Sequence, residues 1–152
     1  MNYHKFFLLL AILPLTVLAD TLLVGNKAQN TLSLVDLNSG EVVKVLPTGK
    51  GPHEVDVSPD GKTAVVANYG VAGARGNSLT VVDVEQGKVS RTIDLGEHTA
   101  PHGIVWMHDN EHVVVTTEGS GEIIKVHVQS GGVVLALKTG QDTSHMVALT
   151  SD

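Results

Sequence analysis

The sequence predicts an all-β fold built from repeated four-stranded antiparallel units, and three observations carry that expectation. A short segment recurs: Gly51-Pro52-His53-Glu54-Val55, Ala100-Pro101-His102-Gly103-Ile104 and Thr143-Ser144-His145-Met146-Val147 align on their histidines, 49 and 43 residues apart. Periods of that size belong to β-propeller blades and related arrays. Runs rich in Val, Leu, Ile and Thr alternate with clusters of Gly, Asn, Asp and Pro at the spacing of short strands, with no helical periodicity. Glycine also sits where tight hairpins need a positive φ, in Pro59-Asp60-Gly61-Lys62, Asn38-Ser39-Gly40, Glu85-Gln86-Gly87 and Ser130-Gly131-Gly132.

The chain opens with a different pattern. Lys5 is followed by an apolar run from Phe6 to Leu18, broken only by Pro14 and Thr16, and Val17-Leu18-Ala19 is a small-residue cleavage site. This is the layout of a secretory signal peptide over residues 1–19. The run is shorter than the roughly 20 residues of a spanning helix, so cleavage is expected rather than a membrane anchor. The mature chain, 20–152, is then expected to be exported, periplasmic or extracellular, with no stable membrane span.

Strands follow in order. Leu22-Leu23-Val24, Leu32 to Val35 and the Val42 to Leu46 run place strands at about 21–26, 31–37 and 41–46. Val55 alternating with Val57, the unbroken Ala64 to Ala67, Leu79 to Val82 and Val89 to Ile93 place the next four at about 53–58, 62–68, 78–84 and 88–95. Ile104 to Trp106, Val113 to Val115, Ile123-Ile124 and Val133 to Leu137 place four more at about 102–107, 112–117, 122–128 and 132–138, and a twelfth is expected near 144. With the strands of a blade labelled A to D from the inside, the order is BCD, ABCD, ABCD and a final A.

The tight A–B and C–D turns hardly vary in length, whereas the B–C and D–A loops do. Ligand binding is expected on the variable-loop face, because loops on a rigid scaffold carry function.

Pro52-His53-Glu54-Val55-Asp56-Val57-Ser58-Pro59-Asp60-Gly61-Lys62 with Ala64-Val65-Val66-Ala67-Asn68-Tyr69, then Leu79-Thr80-Val81-Val82-Asp83 and Gly87-Lys88-Val89, resemble the repeat of YVTN-type β-propellers. The resemblance covers essentially all of residues 20–152 and implies exported proteins whose blades surround a central channel. The third unit departs from the pattern: Asp109-Asn110-Glu111 replaces Asp-Gly-Lys, Thr117 stands for Asn68, and His127 for Asp83. The strands make about three blades, fewer than the roughly four to eight of a propeller. The chain is therefore expected to be the N-terminal part of an incomplete propeller, with the missing blades supplied in cis, or by further copies as a homo-oligomer.

Composition excludes several function classes. A net charge of −6 with no Lys/Arg cluster lacks the basic footprint of a nucleic-acid binder. The absence of cysteine removes thiol catalysis, Cys-ligated metals and disulfides, so burial must stabilise the fold. The partner expected is a small molecule or an envelope protein.

His53, His102 and His145 are the principal candidates. Each begins an innermost strand, which would ring them around the channel mouth, and three neutral imidazoles on adjacent blades suit zinc or copper with an open position. The alternative is a purely structural set, each imidazole bonded to loop backbone; no cofactor is required by any residue pattern. No acidic partner recurs beside them, since Glu54 gives way to Gly103 and Met146. His98 lies in the longest D–A loop and would either join His102 or remain solvated. Gly70 to Asn77 lacks the helix and Lys-Ser/Thr pair of a phosphate cradle and reads as a flexible surface loop. Its Arg75 could hold a carboxylate or phosphate group, and Tyr69 at its base could stack or hydrogen-bond. Asp36 and Asp83 read as turn formers and Trp106 as core filling. The likeness of some lactonases to such propellers implies a hydrolase alternative, but no catalytic residue is named: no acid–base pair stands at usable spacing, and Ser120 and Ser144 lack a nucleophile elbow.

Overall fold

Eleven strands fall into three antiparallel sheets in a computed structural model of the chain, which describes residues 20–151. The signal peptide expected at 1–19 lies outside the described residues. The first sheet holds β1 (Thr21–Asn26), β2 (Thr31–Asp36) and β3 (Val42–Pro47). The second holds β4 (Pro52–Val57), β5 (Thr63–Val71), β6 (Ala74–Asp83) and β7 (Lys88–Asp94). The third holds β8 (Pro101–Trp106), β9 (His112–Thr117), β10 (Glu122–His127) and β11 (Gly132–Lys138). Each strand pairs with its sequence neighbour, so every sheet is a meander and the BCD, ABCD, ABCD order is realised.

The unbroken apolar run of β5 follows from its position between two cores. Side chains alternate across a strand, and Ala64 and Val66 pack with Leu32, Leu34 and Leu46 of the first sheet. Val65 and Ala67 join Val113, Val115, Ile124 and Val126 of the third. Trp106 sits in this second core, and its Nε1 donates to the Asp56 carbonyl at 3.2 Å, while its backbone N–H donates to Asp56 Oδ2 at 2.8 Å. The outer faces have no such cover: Leu22, Val24, Val42, Val43 and Val45 of the first sheet are exposed, as are Val134, Leu135 and Leu137 of the third. The sheets form an open arrangement rather than a closed ring.

Turn chemistry behaves as its residues dictate. Asp36 Oδ1 accepts the Asn38 and Ser39 N–H groups at 2.7 and 3.0 Å, and Asp83 Oδ1 accepts the Gln86 N–H at 2.9 Å.

Two expectations are corrected. Gly70 to Asn77 is not a loose loop: β5 and β6 continue as a ladder, Gly70 opposite Arg75 and Val71 opposite Ala74, so the insertion lengthens a hairpin. Gly51 is bound to this extension, because a Cβ there would lie 2.0 Å from the Gly70 carbonyl oxygen and its φ is +59°. The twelfth strand near 144 does not form, and residues 143–151 are irregular. A strand is defined by its ladder, and among the described residues none pairs along this segment. The His145 carbonyl still accepts bonds from the Gly103 N–H at 3.2 Å and Thr116 Oγ1 at 2.8 Å.

Candidate functional site

His53 and His102, on β4 and β8, occupy irregular positions. The β4–β5 register shifts between Pro52 and Val55, and the β8–β9 register shifts between Pro101 and Ile104. His53 and His102 lie inside those shifts. A register irregularity bends the strand and re-aims a side chain that would otherwise alternate in or out.

The re-aimed rings meet those of the C-terminal segment. His53 and His102 have centroids 3.8 Å apart, and His102 and His145 are 4.0 Å apart, so His102 is the middle of a row of three. Tyr69 lies 5.4 Å from both His53 and His102. His102 is buried, whereas the His145 side chain is 61% exposed.

Glu118 completes the cluster. Its Oε1 is 2.5 Å from His145 Nδ1 and 4.0 Å from His102 Nε2, and its Oε2 accepts the Tyr69 hydroxyl at 2.7 Å. Glu54 Oε1 stands 3.5 Å from His53 Nδ1 at the other end. Thus the row has carboxylates at both ends although no acidic residue recurs beside the histidines in the repeat.

The electrostatics follow from burial and these contacts. Burial, with His53 beside it, holds the His102 imidazole below its ordinary range against the pull of Glu118, so His102 is neutral at pH 7. Burial pushes the Glu118 carboxyl up, but the hydrogen bonds from His145 and Tyr69 together hold it below its ordinary range. The bond to Glu118, then burial, raises the Tyr69 phenol. His102 Nδ1 is buried with no hydrogen-bond partner, the one such side-chain atom among the described residues.

Gly103 explains why Glu54 has no counterpart in the third unit. A Cβ at Gly103 would lie 2.8 Å from the His145 oxygen and 3.0 Å from Met146 Cα, so a side chain there would exclude the segment that delivers His145.

The other candidates separate from this cluster. Arg75 Nη1 donates to the Gly119 carbonyl at 3.0 Å and ties the extended hairpin to the third sheet's loop. His98 is neither solvated nor placed in the row: its Nδ1 is 2.6 Å from Glu122 Oε2, and its side chain is only 13% exposed. His112 and His127 meet elsewhere, ring centroids 5.0 Å apart, with His112 Nδ1 2.8 Å from Asp109 Oδ2. A cavity of about 380 Å³ lined by Trp106, Arg91 and His127 includes none of the row.

Glu118 is the functional candidate that the repeat alignment passes over. It follows Thr117 as Tyr69 follows Asn68 and Lys27 follows Asn26, and these three repeat-equivalent positions touch in sequence. The Lys27 ammonium is 5.1 Å from the Tyr69 ring centroid, and Tyr69 bonds Glu118.

Comparison with known proteins gives a consistent picture of the fold. Residues 15–113 match a family model described as YNCE-like beta-propeller. The chain is 30% identical to hydrazine synthase subunit beta of Kuenenia stuttgartiensis over 88 residues, which are 57% of this chain and 22% of that protein. A solved structure of Kuenenia stuttgartiensis hydrazine synthase is similar with a TM-score of 0.67 and 28% identity, over 76% of this chain and 33% of the other. The chain therefore spans between about a fifth and a third of the length of these relatives. The family match includes His53 and His102 and stops before Glu118 and His145.

Proposed function

Because this chain belongs to the YNCE-like β-propeller family, we propose that it serves as the binding module of an exported propeller, with its ligand face on the B–C and D–A loops. The observation that carries this reading is the convergence of His53, His102 and His145 from successive repeats, at 3.8 and 4.0 Å spacing, with Tyr69 and Glu118 against them. Such a row of imidazoles, phenol and carboxylate offers both donors and acceptors on a rigid framework. Export remains part of the proposal and rests on the Lys5 to Ala19 pattern. The relative's designation as a subunit fits a propeller that works within an assembly.

Native mass spectrometry of the full chain purified from the cell envelope tests the reading. A retained small molecule that is lost in Tyr69→Phe and His53→Ala, but kept in His112→Ala, supports it. Retention indifferent to the row, or no retained molecule and no envelope protein captured through the row, refutes it. N-terminal sequencing of the same material reads whether the chain begins at Asp20.

A further inference from the structure

Resting on that reading of the loop face, the geometry points to a divalent transition-metal site whose ligands are His102, His145 and Glu118, with His53 and Tyr69 as supporting groups. The donor atoms of His102, Glu118 and His145 lie within 4.8 Å of one another. Ligands around a tetrahedral ion at about 2.0–2.1 Å stand roughly 3.4 Å apart. The 4.0 Å gap from His102 Nε2 to Glu118 Oε1 needs a small contraction, and the 2.5 Å gap from Glu118 to His145 needs an opening of about 1 Å. His145 can supply that movement, because its side chain is exposed and its segment belongs to no strand.

His102 is buried at the centre of the row, and its Nε2 is the ring nitrogen that faces Glu118. Burial keeps that nitrogen away from bulk water, and the neutral imidazole is the form that ligates a metal.

The donor set selects the class of ion. Two imidazoles and one carboxylate suit zinc and its first-row neighbours, whereas calcium and magnesium require oxygen ligands. Glu118 and Glu54 flank the row, so two carboxylates face a 2+ ion. The same acidic pair opposes an anionic ligand at this place. Tyr69 bonded to the ligating carboxylate, and Thr116 and Gly103 bonded to the His145 carbonyl, are the outer contacts that orient metal ligands. Three ligands leave one tetrahedral position open. Glu118 replaces His53 in the histidine-only set expected from the repeat, because His145 is tied to Glu118.

The test uses the full chain, freed of metal by a chelator, with no affinity tag that contains histidine. Zinc uptake is measured by elemental analysis, and cobalt(II) serves as a coloured substitute. One ion per chain is expected, with the visible absorption of tetrahedral cobalt. His145→Ala removes an exposed ligand without disturbing the core, and Glu118→Gln removes the charge. Each should weaken uptake at least about tenfold, while His112→Ala on the other histidine pair leaves it unchanged. No stoichiometric uptake by the folded wild-type chain overturns the site, as does uptake undiminished in both variants. A chain that takes up no metal yet retains an organic molecule through Tyr69 overturns the metal site and leaves the binding reading standing. If neither metal nor molecule depends on the row, both fall.

Discussion

Replacing Glu122 with Gln should remove a pH-dependent clamp between the second and third sheets. Glu122 opens β10, and its Oε2 reaches back 2.6 Å to His98, in the loop after β7, while Oε1 meets Lys138 Nζ at 3.0 Å. The bond from His98 does most to hold its carboxyl at about 2, down from the ordinary 4.5; burial opposes this, and Lys138 and Ser120 add to it. A fall of that size corresponds to about 3 kcal/mol, since one pK unit is worth roughly 1.4 kcal/mol. Lys138 is 70% exposed and its share is screened by water, so the net expectation is about 2 kcal/mol at pH 7. The sign follows from proton binding. The folded carboxyl has the lower pKa, so its contribution is complete above the unfolded value of 4.5 and is lost as pH falls through about 2. Urea unfolding of wild type and Glu122→Gln at several pH values reads this as a difference that is full at neutral pH and shrinks to nothing in acid. Asp109, also held at about 2, is present in both proteins and cancels. A difference that is the same at about pH 7 and about pH 3, or smaller than about 0.5 kcal/mol throughout, would refute the assignment of the clamp to charge.

Three further perturbations probe the framework. Tyr69→Phe deletes the hydroxyl donated to Glu118, so the Glu118 carboxyl should titrate at higher pH than in wild type; an unchanged carboxyl NMR titration contradicts this. Gly103→Ala drives a Cβ against the His145 carbonyl and Met146, which should displace that segment and cost about 1–3 kcal/mol; a wild-type denaturation midpoint counts against the contact. Asp56→Ala leaves the Trp106 backbone N–H without its 2.8 Å acceptor between sheets, at a cost of about 1–3 kcal/mol. Trp106 is the sole tryptophan, so its fluorescence reports the change directly, and a wild-type denaturation midpoint would disprove the role.

The parts of the fold legible in the sequence are those encoded locally. Strand periodicity, glycine turns and the repeated Pro-His pairs place β1 to β11 and the incomplete first blade with little ambiguity. The Gly70 to Asn77 hairpin is less legible, since three glycines disguise a ladder held by Gly70 opposite Arg75. The last strand depends on a neighbour rather than on its own residues, and Thr143 to Thr150 has β-propensity without a ladder. The histidine row is visible because the same residue type recurs. Glu118 is not, because the equivalent positions hold Lys27 and Tyr69, and only the position repeats. His98 and Glu122 are 24 residues apart and meet across a sheet boundary, which no local pattern encodes.

The register shifts at His53 and His102 have a mechanical consequence. The two rings are carried by different sheets, so their 3.8 Å separation gauges the wedge between neighbouring blades. Anything gripping rings from both sheets acts as a rivet across that wedge and resists its opening. Occupancy and the stiffness of the arc then become one quantity, and a ligand at the rim would tighten the cores behind it.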